Sequence, residues 1–163
     1  MTDQIKTPEL KYSLNVIRAF GTTDIGRAGL SGAWTDPELE HHWSGGLSAS
    51  LTVLTDTTVR SRTRVSVGGS PFIVPGTCPK QDVQFYGDGL LLSAWRLTEA
   101  RDYLLVTDLE PEQWRKRNDK SIIKFTWLLP DSIIASRVVK GTDIRELGFC
   151  FREFSIKTID RAD

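Results

Sequence analysis

Two adjacent histidines, His41 and His42, are the only histidines in this 163-residue chain, and Glu38 and Glu40 lie just before them. Imidazole and carboxylate groups can bind zinc or act as general acids and bases. Neighbouring residues of a strand point to opposite faces, so adjacent histidines rarely bind one ion. We therefore favour a surface or hydrogen-bonding role for the pair, and we expect no metal and no other cofactor.

Tryptophans flank the histidines on both sides, since Trp34 and Trp43 lie in the same glycine-bounded stretch, residues 32–46. Flat indole faces can stack on pyranose rings while nearby polar groups bind the hydroxyls. An indole can equally close the end of a β-fold, burying a large apolar area. The stretch is therefore either a ligand platform or a core plug. The residues that we predict to bind ligand are Trp34, Glu38, His42, Trp43 and Arg145.

Two further groups of charged residues have both a binding and a structural interpretation. Arg60, Arg62 and Arg64 alternate along one strand face and could form a secondary face for an anionic ligand. At zero net charge we favour pairing with carboxylates of a neighbouring strand. Asp143 and Arg145 could supply a carboxylate and a clamp, but we favour an ion pair just before the last strand. We expect no catalytic residue, because the chain has no nucleophile elbow and no phosphate-binding glycine loop.

The elements that must position these residues are predicted to be short strands. Residues 47–54 alternate between apolar and polar, which is typical of a half-buried antiparallel strand. Residues 58–67 alternate again, so the two segments are predicted to form a hairpin, followed by a turn at residues 68–71. Residues 110–120 are predicted to be a loop or short helix that packs Trp114. Other strands are predicted at residues 12–20, 81–86, 90–97, 103–107, 122–129 and 147–156.

These strands predict an all-β fold, an antiparallel two-sheet β-sandwich of the jelly-roll kind. We expect a flexible N-terminal segment at residues 1–11 and a single β-sandwich domain at residues 12–160. A formal net charge of zero argues against nucleic acid as a partner. No apolar run approaches the roughly 20 residues of a membrane span. Cys78 and Cys150 suggest a cytoplasmic chain with free thiols, although one disulfide is left open.

Two separated patches of the sequence together resemble one family. Residues 32–46 are similar to a Gly-Trp-x-x-Pro-Glu-x-x-x-x-Trp-Ser-x-Gly pattern, and an alternating strand follows them. Residues 125–156 are similar to a strand, a proline-containing loop and an Asp-x-Arg-x-Leu-Gly pattern that leads into a final strand. This resembles β-sandwich modules attached to bacterial cell-surface polysaccharide glycosyltransferases. The resemblance implies an accessory, carbohydrate-binding-like module whose signature positions include Trp34, Glu38, Trp43, Asp143 and Arg145; we take Asp143 and Gly148 as structural.

Our first hypothesis is a non-catalytic protein that binds carbohydrate or a glycosyltransferase in bacterial surface polysaccharide synthesis. A second hypothesis is a small β-barrel enzyme, such as a cyclase, isomerase or lyase. Its acid–base groups would come from Glu38, His41, His42 and Asp143. A third is a structural assembly subunit that associates through edge strands and the arginine face. A homo-oligomer is left open.

Overall fold

A computed structural model describes residues 8–159, which form strands and two short 3₁₀ turns but no α-helix. The predicted all-β class and the antiparallel pairing are confirmed, with one parallel pair between β1 and β4. No helix in this range is long and apolar enough to cross a membrane. The strands are β1 (Leu10–Tyr12), β2 (Ile17–Ala19), β3 (Leu30–Trp34), β4 (His42–Thr55), β5 (Thr63–Pro71), β6 (Gln81–Gly87), β7 (Leu90–Leu97), β8 (Tyr103–Leu109), β9 (Arg115–Arg117), β10 (Lys120–Leu128), β11 (Ile133–Ile134), β12 (Glu146–Leu147) and β13 (Phe149–Thr158).

One large sheet of eleven strands carries the fold, and its main path runs β7-β6-β10-β4-β13-β5-β8. The long strand β4 joins its two halves, because its beginning pairs with β13 and its second part pairs with β10. We call these the β13 half (β2, β13, β5 and β8) and the β10 half (β10, β6 and β7). Thr107 Oγ1 of β8 lies 2.7 Å from Ser93 Oγ of β7, so the two ends of the path meet through side chains. The sheet is therefore nearly barrel-like, and hydrogen bonding does not divide it into two separate sheets.

The core between the halves is rich in aromatic rings. Alternation along each strand turns every second side chain inward. Phe85 and Trp127 stack with centroids 5.2 Å apart, and Trp127 meets Phe151 of the β13 half at 5.0 Å. Phe125 and Phe154 connect the halves again at 5.9 Å. Aromatic side chains each bury about 150–250 Å², so this cluster supplies much of the apolar burial that holds the halves together.

Two local predictions are wrong. Residues 47–54 and 58–67 do not form a hairpin: β4 pairs with β10 and β13, whereas β5 begins at Thr63 and pairs with β8 and β13. Residues 68–71 are strand rather than turn. A Cβ on Gly69 would lie 2.0 Å from the Cys150 carbonyl oxygen, so glycine here allows the close approach of β13. Local alternation identified the strands but not their partners.

The N-terminal part also differs from the prediction. The strand predicted at residues 12–20 is divided into β1 and β2, because Asn15 turns the chain at a φ of 67°. Strand structure begins at Leu10, which is buried, so residues 8–11 of the predicted flexible segment are partly in the fold; residues 1–7 lie outside the described part. Residues 110–120 contain a 3₁₀ turn (Pro111–Gln113) and also the short strand β9, which pairs with β10 and was not predicted. Trp114 between them is buried, as predicted.

Candidate functional site

Trp34, at the end of β3, faces the core. Its indole Nε1 donates to the carbonyl oxygens of Ser31 and Ser50 at 3.0 and 3.1 Å. Its ring stacks on Phe20 with centroids 5.7 Å apart and meets Phe151 at 4.9 Å. The polar atom and the ring are both engaged by the protein itself. Trp34 is therefore a partly buried plug of the core.

His42 begins β4 directly beside this plug and is fully buried. Its ring lies 5.0 Å from the Trp34 ring, and its Nε2 lies 2.6 Å from the carbonyl oxygen of Thr35. Because a carbonyl only accepts, the imidazole N–H donates there. Burial lowers the pKa of His42, so the ring is neutral near pH 7. Of the predicted ligand residues, Trp34 and His42 thus have their side chains turned to the interior.

Four polar side chains from the two sequence patches meet at the surface, and we call them the ion-pair cluster: Glu38, His41, Asp143 and Arg145. Glu38 Oε1 lies 3.2 Å from Arg145 Nη1, and its Oε2 lies 3.0 Å from His41 Nε2. Arg145 also grips Asp143 with Nε at 3.0 Å and Nη2 at 2.7 Å. Hydrogen bonds from Arg145 lower the pKa of Asp143 to about 2 and raise that of the guanidinium. Glu38 and Arg145, one from each sequence patch, are therefore in direct contact.

Trp43 lies beside this cluster, on the face of β4 opposite to His42. Its ring is partly exposed and meets His41 at 6.5 Å and Phe72 at 6.1 Å, both nearly at right angles. His41 therefore links the indole to Glu38 and, through it, to Arg145. The structure brings Trp43, Glu38 and Arg145 into one surface neighbourhood.

Gly148 allows β13 to approach β4 closely, which brings the second sequence patch next to the first. A Cβ on Gly148 would lie 2.3 Å from Ser132 Oγ and 3.1 Å from Ser44 Oγ, so a larger residue would push β13 away from β4. Ser44 Oγ accepts the Phe149 N–H at 2.9 Å across the same contact. This placement agrees with a structural role for Gly148.

The sequence reasoning missed a cleft of about 400 Å³ on the outer face of the β13 half. The Arg101 guanidinium lies 4.2 Å over the Tyr103 ring, and Arg152 Nε is 3.6 Å from Asp102 Oδ1. Consecutive glycines inside an alternating strand were the available signal, since they often mark a close approach of backbone or ligand. The lining residues are Gly68, Gly69, Asp102, Tyr103, Leu104, Arg152 and Glu153.

Two of the three arginines of the predicted face are paired with carboxylates, and only Arg64 lies within β5. Arg64 makes two bonds to Asp108, at 2.7 and 3.0 Å. Arg62 lies 3.3 Å from Asp108 and 3.2 Å from Glu110, while Arg60 is exposed ahead of β5. Asp108 lies on β8, the strand that pairs with β5. Pairing with carboxylates of a neighbouring strand, the interpretation that we favour, is therefore observed for Arg62 and Arg64. An anionic ligand on this face would have to compete with Asp108.

Neither a metal site nor a disulfide occurs in the described range. Residues 8–159 contain no group of three or more His, Cys, Asp and Glu side chains placed to hold an ion. Cys78 and Cys150 are both buried free thiols. The pairing of these cysteines that was left open is therefore not formed.

Comparisons with known proteins give distant likenesses only. No protein-family model and no curated protein matches the chain. A family GH115 4-O-methyl-α-glucuronidase is similar over 74% of this chain, which spans 14% of that enzyme, with 10% identity and a TM-score of 0.46. A family 35 carbohydrate-binding module from Clostridium thermocellum is similar over 88% of this chain and 99% of its own, with 7% identity and a TM-score of 0.44. A sugar-binding protein, the EclA C-terminal domain, is similar over 72% and 70%, with 13% identity and a TM-score of 0.38. At these values the likenesses do not identify ligand-binding residues.

Proposed function

We propose that this protein is a non-catalytic carbohydrate-binding module that binds sugar at Trp43 and the ion-pair cluster. The observation that carries the proposal is the partly exposed Trp43 indole beside hydrogen-bonding groups from both sequence patches. An aromatic ring offers an apolar face to the C–H surface of a sugar. Carboxylate and guanidinium groups beside it can bind the hydroxyls at the ring edge.

The ion-pair cluster is preorganised and still has hydrogen-bonding capacity. Glu38 and Arg145 have side-chain exposures of 44% and 42%, so solvent and ligand can reach both. Arg145 uses Nε and one N–H on each Nη atom, while a guanidinium has a second N–H on each Nη. Those free donors can bind hydroxyl oxygens. Because Asp143 already holds the guanidinium in place, little side-chain entropy is lost on binding.

The acid–base enzyme hypothesis receives less support from the same geometry. A general acid or base works best with a pKa near the operating pH. Asp143 is held ionised by Arg145, and His42 is buried with its N–H donated to Thr35. These two candidates are therefore poorly placed to transfer protons to a substrate.

The proposal includes two finer assignments that rest on the sequence alone and one about the layers of the fold. The resemblance of the two patches suggests a role in bacterial surface polysaccharide synthesis, beside a glycosyltransferase. The cysteine usage suggests the cytoplasm. Within the proposal, the two halves of the sheet act as the layers of a sandwich, and the ligand binds at the start of β4, where this strand pairs with β13.

Calorimetric titration and an array of bacterial polysaccharide fragments test the proposal. We expect the wild-type protein to bind at least one fragment and Trp43→Ala to bind it about tenfold more weakly or worse, which is about 1.4 kcal/mol. Tyr86→Ala is the matched control, because Tyr86 is a partly buried aromatic residue on β6 of the other half. Absence of binding to every fragment, or equal loss in both variants, would contradict the proposal.

A further inference from the structure

A second cleft, of about 440 Å³, lies on the outer face of the sheet where β9, β10 and β4 run side by side. Lys124 of β10 pairs with Thr52 of β4, and the residues on either side of Lys124, Ile123 and Phe125, belong to the buried core. Because side chains alternate along a strand, Lys124 and Thr52 face outward. We call this cleft the basic groove, and its lining includes Glu9, Thr52, Arg115, Arg117, Ile122 and Lys124.

Arg115 and Arg117 of β9 lie on the same outer face. They pair with Ile122 and Lys120 of β10. Every second residue of a strand shares a face, so Ile122 and Lys120 have the orientation of Lys124. Diagonal neighbours on paired strands are about 7–8 Å apart, and Arg115 and Lys124 are related in this way. Their long side chains can therefore reach one small ligand together.

Carboxylates hold both guanidinium groups and leave part of each free. Asp88 accepts hydrogen bonds from Arg115 Nε at 2.7 Å and from its Nη2 at 3.0 Å, and Glu9 accepts one from Arg117 Nη1. A guanidinium has five N–H groups, so donors remain on both arginines. Lys124 takes part in no ion pair within residues 8–159. The groove thus has a surplus of positive charge, and Lys124 carries it.

Thr52 adds a hydroxyl group to the floor of the groove. Its side chain is only 4% exposed, and its Oγ1 has no hydrogen-bond partner among the described residues. Two residues earlier on the same face, Ser50 Oγ lies 2.9 Å from Thr126 Oγ1. Leaving a buried hydroxyl unpaired costs free energy. An oxyanion accepts hydrogen bonds from hydroxyl, ammonium and guanidinium groups alike, so one such ligand satisfies Thr52 and balances the surplus charge.

We infer that the basic groove binds a single oxyanion, a carboxylate or phosphate group, between Lys124, Arg115 and Thr52. Lys124 supplies the charge, and Thr52 donates its hydroxyl hydrogen. Asp88 already fixes the orientation of the Arg115 guanidinium, so little side-chain entropy is lost on binding. The inference goes beyond the proposed function and does not depend on it. The Trp43 surface lies at the start of β4, whereas Thr52 lies near the end of that strand.

NMR titration of the full-length protein with inorganic phosphate and, separately, with acetate tests the inference. Ionic strength is kept constant, because salt screens exposed charges. We expect saturable shifts of the Thr52 and Lys124 amide signals, and the anion that binds more tightly identifies the group. Lys124→Gln should weaken binding about fivefold or more. Lys140→Gln, which removes the same charge at an exposed position outside the groove, is the matched control and should bind like the wild type.

Thr52→Val provides a second variant of the groove. It keeps the branched shape of the side chain and removes the hydroxyl, so binding should weaken while thermal melting shows a folded protein. Shifts that do not saturate with either anion, or unchanged affinity in either groove variant, would overturn the inference. Equal weakening by Lys124→Gln and Lys140→Gln would also overturn it. Trp43→Ala should bind the anion like the wild type, which separates this test from that of sugar binding.

Discussion

Trp34 and Trp43 belong to the same stretch of sequence, residues 32–46, but their side chains lie in different surroundings. Trp34 has its N–H bonded to two carbonyl groups and its ring packed on Phe20 and Phe151. Trp43 instead meets His41 and Phe72 at right angles and lies beside the ion-pair cluster. Trp34 therefore holds the loop to the core, whereas Trp43 is partly exposed beside the ion-pair cluster.

The histidines repeat this division. His42 is buried against Trp34, whereas His41 reaches Glu38 at 3.0 Å. Because side chains alternate on an extended chain, consecutive residues must serve opposite faces. A loop of this kind can thus be a fold signature and a binding surface at the same time.

Trp34→Ala should have the largest effect on stability. The substitution leaves a cavity beside Phe20 and removes the donor for Ser31 and Ser50, so we expect a loss of about 3 kcal/mol or more in the free energy of unfolding. Urea denaturation measures it. Trp43→Ala should lower the free energy of unfolding by clearly less. An equal or larger loss would contradict the view that Trp34, rather than Trp43, packs in the core.

Trp43→Ala should have the largest effect on sugar binding among folded variants. We expect about a tenfold or greater loss of affinity while far-ultraviolet circular dichroism stays unchanged. The reason is that the Trp43 ring is partly exposed and offers stacking area to a sugar, whereas its contacts with the protein are with His41 and Phe72 rather than with the central core. Arg145→Lys should lose less, because lysine keeps the charge but not the fork that grips Asp143. Stronger loss in Arg145→Lys than in Trp43→Ala would point to the cluster as the main binding element.

Stability should fall as the pH drops from about 7 to 5 because of His42. Burial lowers the pKa of His42 in the folded state, so the unfolded chain takes up the proton first, near its ordinary value of about 6.5. The stabilisation is present above that value and is lost below it. His42→Gln should flatten the dependence of the urea midpoint on pH, and His41→Gln should preserve it. Equal slopes in both variants would contradict the buried neutral histidine.

Asp143 should make a smaller contribution to the pH dependence of stability, and this contribution should appear at acidic pH. Its folded pKa of about 2 lies below the ordinary value, so its stabilisation is present above about pH 4 and is lost as the pH falls towards 2. Asp143→Asn should reduce the acid slope of the urea midpoint. Asp119→Asn, at an exposed position outside the cluster, is the control, and a matching change there would show that the slope is not specific to Arg145 pairing.

Much of the fold could be predicted because strand alternation is local. The segments at residues 47–54, 81–86 and 90–97 are strands, the segment at residues 122–129 is strand as far as Leu128, and Trp114 is buried. Strand partners could not be predicted, because β5 pairs with β13, the last strand of the chain, and alternation within one segment does not specify such a distant partner. The same limit made residues 68–71 look like a turn, since the reason for the glycines is a contact with Cys150.

The sequence by itself determined the all-β class, the neutral charge and the concentration of rare residues between Gly32 and Gly46. These depend on composition and on periodicity within a few residues. Only the tertiary structure decided which tryptophan faces the core, that Arg145 reaches Glu38, and that a cleft opens over Gly68. Each of these depends on pairing between β4, β5, β8 and β13, whose order no local pattern encodes. The site is therefore a property of the assembled sheet.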